Sequence, residues 1–144
     1  MMSISDERIY HLLQLAAHRM RVYADERCLA AAGITTAQAA ALHIISGKPG
    51  ITQRGVALAL KQRESAMTAM IRRLCEAKLL ERQDSENDSR AWALFLTQKG
   101  DAALADIRGP LDQINERLSA AIGKRDVGEF AEILKFLAAT PEAE

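Results

Sequence analysis

Between residues 79 and 100 the chain reads LLERQDSENDSRAWALFLTQKG, two short strands joined by a polar, charged turn. Leu79 and Leu80 open the first arm, and Trp92, Leu94 and Leu96 place an apolar residue at every second position of the other, the period of a half-buried strand. The run Asp84-Ser85-Glu86-Asn87-Asp88-Ser89-Arg90 between them is too polar to pack and too short to link domains. A charged hairpin of this kind set between helices restricts the folds open to the chain, and the residues before it restrict them further.

Residues 52–60 read as a short helix and Lys61-Gln62 as a turn. Residues 63–78 then carry Ala66, Met67, Met70, Ile71, Leu74 and Ala77 at the three-and-four spacing of a helix with one buried face. Two helices across a tight turn are a helix-turn-helix. The second leaves Arg63, Ser65, Thr68, Arg72 and Arg73 on or near its outer face, the small polar and guanidinium groups that reading a DNA major groove requires. No Ser, Thr, Asp or Asn stands at its expected cap, so its first turn is less secure than most. Helix, turn, helix and hairpin make a winged helix.

The rest of the chain reads as helix. Residues 5–32 form one long helical pattern, about 40 Å at the usual rise, ended by Gly33. Thr35 with Gln38 makes a capping box for a helix to about residue 46, and 47–50 is a turn. Thr97 caps a stretch to about residue 122 that Gly109-Pro110 interrupts, where Pro110 predicts a kink. Asp126 opens the last helix, to about residue 138. The terminal helices carry more apolar surface than a small winged helix covers: Ile4, Ile9, Leu12, Leu13, Leu15 and Ala16 at one end, and Leu111, Ile114, Leu118, Ile122, Val127, Phe130, Ile133, Leu134, Phe136 and Leu137 at the other. The expected fold is therefore mainly α, a winged helix-turn-helix with a small β-hairpin wing. It forms a single domain over 1–144, with a DNA-binding lobe at 34–100 and a helical dimerisation region at 4–32 and 101–138. In a homodimer of this kind the recognition helices lie about 34 to 36 Å apart, one turn of DNA.

A formal charge of zero argues against a nucleic-acid binder until it is counted by segment. Residues 52–100 hold nine Lys and Arg against six Asp and Glu, whereas 101–144 hold five against nine. A basic middle and an acidic tail fit a chain whose middle alone meets phosphate. No secretion signal or membrane-length apolar run is present, so a cytoplasmic protein is expected. Paired carboxylates beside a histidine, a glycine-rich phosphate loop and a nucleophile elbow are all missing, so no enzyme and no cofactor are expected. Cys28 and Cys75 suggest neither a disulfide framework nor a zinc site. His11 and His18 lie two helical turns apart, roughly 10 Å, too far to share a metal ion.

On these residues the chain resembles the multiple antibiotic resistance regulator (MarR) family. The resemblance rests on Gly33-Ile34-Thr35-Thr36-Ala37-Gln38, on Leu79-Leu80-Glu81-Arg82, and on Asp88-Ser89-Arg90 followed by Leu94-Phe95-Leu96-Thr97-Gln98-Lys99-Gly100. It implies a homodimeric transcription regulator on double-stranded palindromic DNA, usually a repressor, released by a small aromatic or phenolic acid or, in some members, by oxidants. By the same resemblance Arg90 enters the minor groove, whose negative potential favours a guanidinium, and Asp88 holds it in place. Gln53, opening the first helix of the pair, is placed to meet a phosphate. His11, His18, Arg19, Tyr23 and His43 are the polar groups available to an effector crevice beside the dimer interface. The alternative is a redox-responsive regulator using Cys75 or Cys28. Two departures from the family pattern stand out: Ala69, where many members carry a long polar side chain, and Lys78, where glycine commonly ends the recognition helix.

Overall fold

The computed structural model describes residues 6–84 and 91–139. Its elements run α1 (Asp6–Ala32), α2 (Thr36–Gly47), α3 (Gln53–Ala59), α4 (Glu64–Glu76), β1 (Leu80–Asp84), β2 (Trp92–Leu96), α5 (Gln98–Asp106), α6 (Arg108–Ile122) and α7 (Val127–Ala139). They divide into two compact units, Met1–Pro110 and Leu111–Glu144.

In the first unit the helix ends are set by local chemistry. Gly33 takes the left-handed backbone, φ 69°, that closes α1, and both halves of the Thr35–Gln38 capping box are made. Asp25, within α1, accepts from the backbone N–H of Thr36 at 2.8 Å and from its hydroxyl at 2.7 Å, which fixes the angle between α1 and α2. The core forms from Ile34, Leu42, Ile45, Val56, Met67, Ile71, Leu74 and Leu94, all fully buried. Burial of such side chains is worth about 1.5 to 3 kcal/mol each.

Thr52 caps α3 through the Gly55 N–H, 3.1 Å. Both helices of the helix-turn-helix close with Schellman pairs. Gln62 N–H reaches Ala57 O at 2.9 Å and Lys61 N–H reaches Leu58 O at 3.2 Å; Leu79 N–H reaches Leu74 O and Lys78 N–H reaches Cys75 O, both at 3.0 Å. The left-handed residue of each motif is usually glycine. Here it is Lys61, φ 52°, and Lys78, φ 64°, each strained by about 1 kcal/mol. Arg63 caps α4 without a side-chain hydrogen bond, as its sequence implies.

Ala66 and Ala77, expected on the inner face of α4, are exposed, and Met67, Ile71 and Leu74 alone are buried. These three form a stripe wide enough to pack on α3 and β1, and the flanking alanines fall outside it.

The hairpin pairs Leu80 with Leu96 through to Asp84 with Trp92, antiparallel. Trp92, expected to face inward with Leu94, is 51% exposed, while Ala93 and Leu94 are both buried. The cause is a third piece of backbone: Gly50 N–H donates to Leu94 O at 2.8 Å and Leu94 N–H to Ile51 O at 3.0 Å, covering this end of β2. Trp92 lies farther out, beyond this bridge. On β1 only Leu80 is buried, so this arm of the wing leans into solvent while β2 is packed on the body.

The base of the wing is tied to α5. Thr97 Oγ1 donates to Lys78 O at 2.6 Å and accepts from Gly100 N–H at 3.1 Å. Thr97 N–H donates to Leu79 O at 3.1 Å, and Lys99 Nζ reaches Ala77 O at 2.9 Å. A Cβ at Gly100 would collide with the Leu79 carbonyl.

The expected kink at Gly109-Pro110 falls earlier, at Ile107, which separates α5 from α6 with φ −85° and ψ −8°. Proline acts upstream of itself: it offers no N–H to the carbonyl four residues back, that of Asp106, and its ring crowds that carbonyl. In α6 Pro110 then occupies the first turn, where a missing donor costs nothing.

In the second unit, Asp126 caps α7 through the Glu129 N–H at 3.1 Å. Neither α6 nor α7 contains a buried residue. Phe130, Ile133, Leu134 and Leu137 are 39 to 52% exposed and follow the i, i+3, i+4, i+7 spacing of one helix stripe. In α1, Ile9, Leu12, Leu13 and Met20 form a second exposed stripe.

Candidate nucleic-acid interface

Helix α4 presents a reading face because its opposite side is spent on the core. Ser65, Thr68 and Arg72 are exposed and, at spacings of three and four, share one stripe. Arg73 is exposed too but sits about 100° round the helix from Arg72, toward the flank, and Arg63 stands at the cap. Glu64 and Glu76 are also exposed, so the face is of mixed charge. Ala69, half-buried, lies within the stripe and gives it no polar group.

Gln53 is held by a bond between helices: its Nε2 donates to Thr68 Oγ1 at 2.7 Å, and that hydroxyl donates to Glu64 O at 3.1 Å. Sequence reasoning placed both residues near DNA but missed the link. It also missed Arg82, which on exposed β1 joins Arg72, Lys78 and Cys75 around a shallow pocket of about 390 Å³. The polar run that follows Leu80 was the one available signal. Asp88 and Arg90 lie outside the described residues, as does Ile4.

The five groups considered for an effector lie on two helices, α1 and α2. His11, His18 and Arg19 are exposed along α1 and Tyr23 is half-buried, with the Arg27 guanidinium 4.9 Å from its ring centre, a cation–π distance. His43 lines a different groove, of about 550 Å³, with Ile44, Lys48, Ile51 and Leu58.

The cysteines differ sharply. Cys28 is fully buried, and burial, with the Asp25 carboxylate adding to it, pushes its thiol above the ordinary value. Since the thiolate is the reactive form, Cys28 is a core residue. Cys75 is half-buried. Among the described residues no group of three or more His, Cys, Asp or Glu is placed to hold a metal ion, and no single helix is long and apolar enough to cross a membrane.

The arrangement has close counterparts. The MarR family model matches residues 32–91, the span from the end of α1 into the wing. A putative transcriptional regulatory protein for the hcr operon of Thauera aromatica is 29% identical over 105 residues, 73% of this chain. The match spans 63% of that relative's length. Among solved structures, the transcriptional repressor CouR bound to a 23-mer DNA duplex superposes with a TM-score of 0.84 at 26% identity, over 96% of this chain and 99% of that one. A variant of MarR from E. coli complexed with operator DNA gives 0.81 at 23% identity, over 90% and 92%, a likeness of fold. With its helix-turn-helix, its wing and its exposed polar α4 stripe, the chain has the winged-helix fold of these regulators, and its residues 32–91 are similar to the MarR family.

Proposed function

We propose that the chain is a cytoplasmic homodimeric repressor that grips a palindromic operator and lets go when a small aromatic acid binds. The observation that carries the DNA reading is the division of α4, with Met67, Ile71 and Leu74 buried and Ser65, Thr68 and Arg72 outward. The wing beside it, whose connecting sequence carries Arg90, supplies the second contact. Binding isotherms test this directly: Arg90→Ala costs more affinity than Asp88→Ala, by about 1 to 3 kcal/mol against less than 1, and neither changes the sedimentation of the protein. Wild-type affinity for Arg90→Ala would mean that the wing reads nothing.

The dimer is supported by the apolar stripes of α1 and α7, which a second copy can cover. For release, the cationic and aromatic groups of α1 and the His43 groove offer partners for a carboxylate and a flat ring. An acid that favours the DNA-incompetent state weakens operator binding by its differential affinity, and the operator weakens acid binding by the same factor. A redox reading is favoured at Cys75 alone, because that thiol is half-buried and lines an open pocket with Arg72, Glu76, Lys78, Glu81 and Arg82, whereas Cys28 is fully buried. Titrating salicylate-like acids into the protein–operator complex, and mild peroxide into wild type and Cys75→Ser, separates the two. Release by acids is expected. Release by peroxide alone, abolished in Cys75→Ser, overturns the ligand reading.

A further inference from the structure

We propose that Gln53 reads an adenine edge in the major groove and that Thr68 is the positioning residue that aims it. The inference rests on the DNA-binding reading above and asks which base the site selects.

A glutamine on the surface normally samples many rotamers, so its amide has no fixed direction. Here Nε2 donates to Thr68 Oγ1 at 2.7 Å across the gap between α3 and α4. The orientation of the amide follows from the hydroxyl. Thr68 has one proton to give, and it goes to Glu64 O at 3.1 Å; what faces Gln53 is therefore a lone pair, which calls for the amide nitrogen. The bond leaves Gln53 with its Oε1 acceptor and one N–H. Side by side, these complement the N6 donor and N7 acceptor of adenine, a pattern that adenine alone presents in the major groove. Thr68 shares the outward stripe with Ser65 and Arg72, so an amide fastened to its hydroxyl lies on the reading face. With its proton spent, Thr68 itself has little hydrogen-bonding capacity left for a base, and its contribution is orientation.

A phosphate contact by Gln53 predicts something different. Phosphate contacts lower affinity alike on every sequence, whereas a base contact fails at one position. The test selects bound duplexes from a random library with wild type, Gln53→Ala, Gln53→Glu, Thr68→Val and Thr68→Ser, then measures each variant on all single-base changes of the wild-type motif. We expect one adenine in each half-site at which Gln53→Ala and Thr68→Val lose discrimination by roughly tenfold, with the other positions unaltered. Thr68→Ser, which keeps the hydroxyl, retains the preference. Gln53→Glu, which has acceptors only, shifts it toward cytosine, whose N4 donates. An equal loss on all sequences, or an unaltered profile in Thr68→Val, overturns the proposal. A wild type that enriches no motif overturns the DNA reading itself, and the inference falls with it.

Discussion

Phe130→Glu combined with Ile133→Glu is expected to leave the chain monomeric at micromolar concentration and to weaken operator binding by about 100-fold. Both residues are in the exposed stripe of α7, at 47% and 52% exposure, and α7 buries nothing of its own. Two carboxylates in a stripe of that size are tolerable in water and intolerable in an apolar interface, where each would have to be desolvated without a partner. The DNA effect follows from geometry. One lobe on one half-site forfeits the effective concentration that a linked second lobe enjoys. Because neither position contributes to the core of the winged helix, circular dichroism and the melting of that unit remain close to wild type. Sedimentation of the double variant as a stable dimer would disprove the assignment of α7 to the interface.

Gly100→Ala carries the second large effect, on stability. The added methyl would meet the Leu79 carbonyl and also sit 3.3 Å from Leu96 Cγ. Backbone cannot yield there as a flexible side chain would, since Leu79 O accepts from Thr97 N–H and Thr97 Oγ1 is bound to Lys78 O and to the Gly100 N–H. Relief therefore breaks the ties between wing and α5. The expected loss is about 2 to 3 kcal/mol, a fall in Tm of roughly 10 °C, against a slight gain for the same exchange at an unconstrained helical site. An unchanged Tm would show that the two segments separate easily.

The reasons these features differ in how plainly the sequence announces them are physical. Gly33, the Thr35–Gln38 box, Thr97 and Asp126 mark helix ends because caps act over three or four residues, within reach of a local pattern. The hairpin pairing runs on to Asp84–Trp92, but the burial that alternation predicts holds at Leu94 and fails at Trp92, because exposure depends on what lies above a strand. The position of the helix break was missed by two residues, since the obstruction made by Pro110 falls on Asp106. Gly100 gave no sign, as a glycine in the first turn of a helix looks merely unfavourable until Leu79 is brought against it. The same holds for the site. The outward stripe of α4 could be read from period alone, but the Gln53–Thr68 bond joins residues 15 apart and Arg82 arrives from another element.

The two left-handed lysines make a conflict for selection. Glycine at Lys61 and Lys78 would relax the backbone at both ends of the α4 segment, yet each replacement would remove a cation from the neighbourhood of the reading helix. On DNA, each such cation that neutralises a phosphate releases counterions and steepens the salt dependence of binding. A lineage pressed toward heat tolerance would gain by the exchange and bind more loosely; one pressed toward occupancy at higher ionic strength would keep the strain.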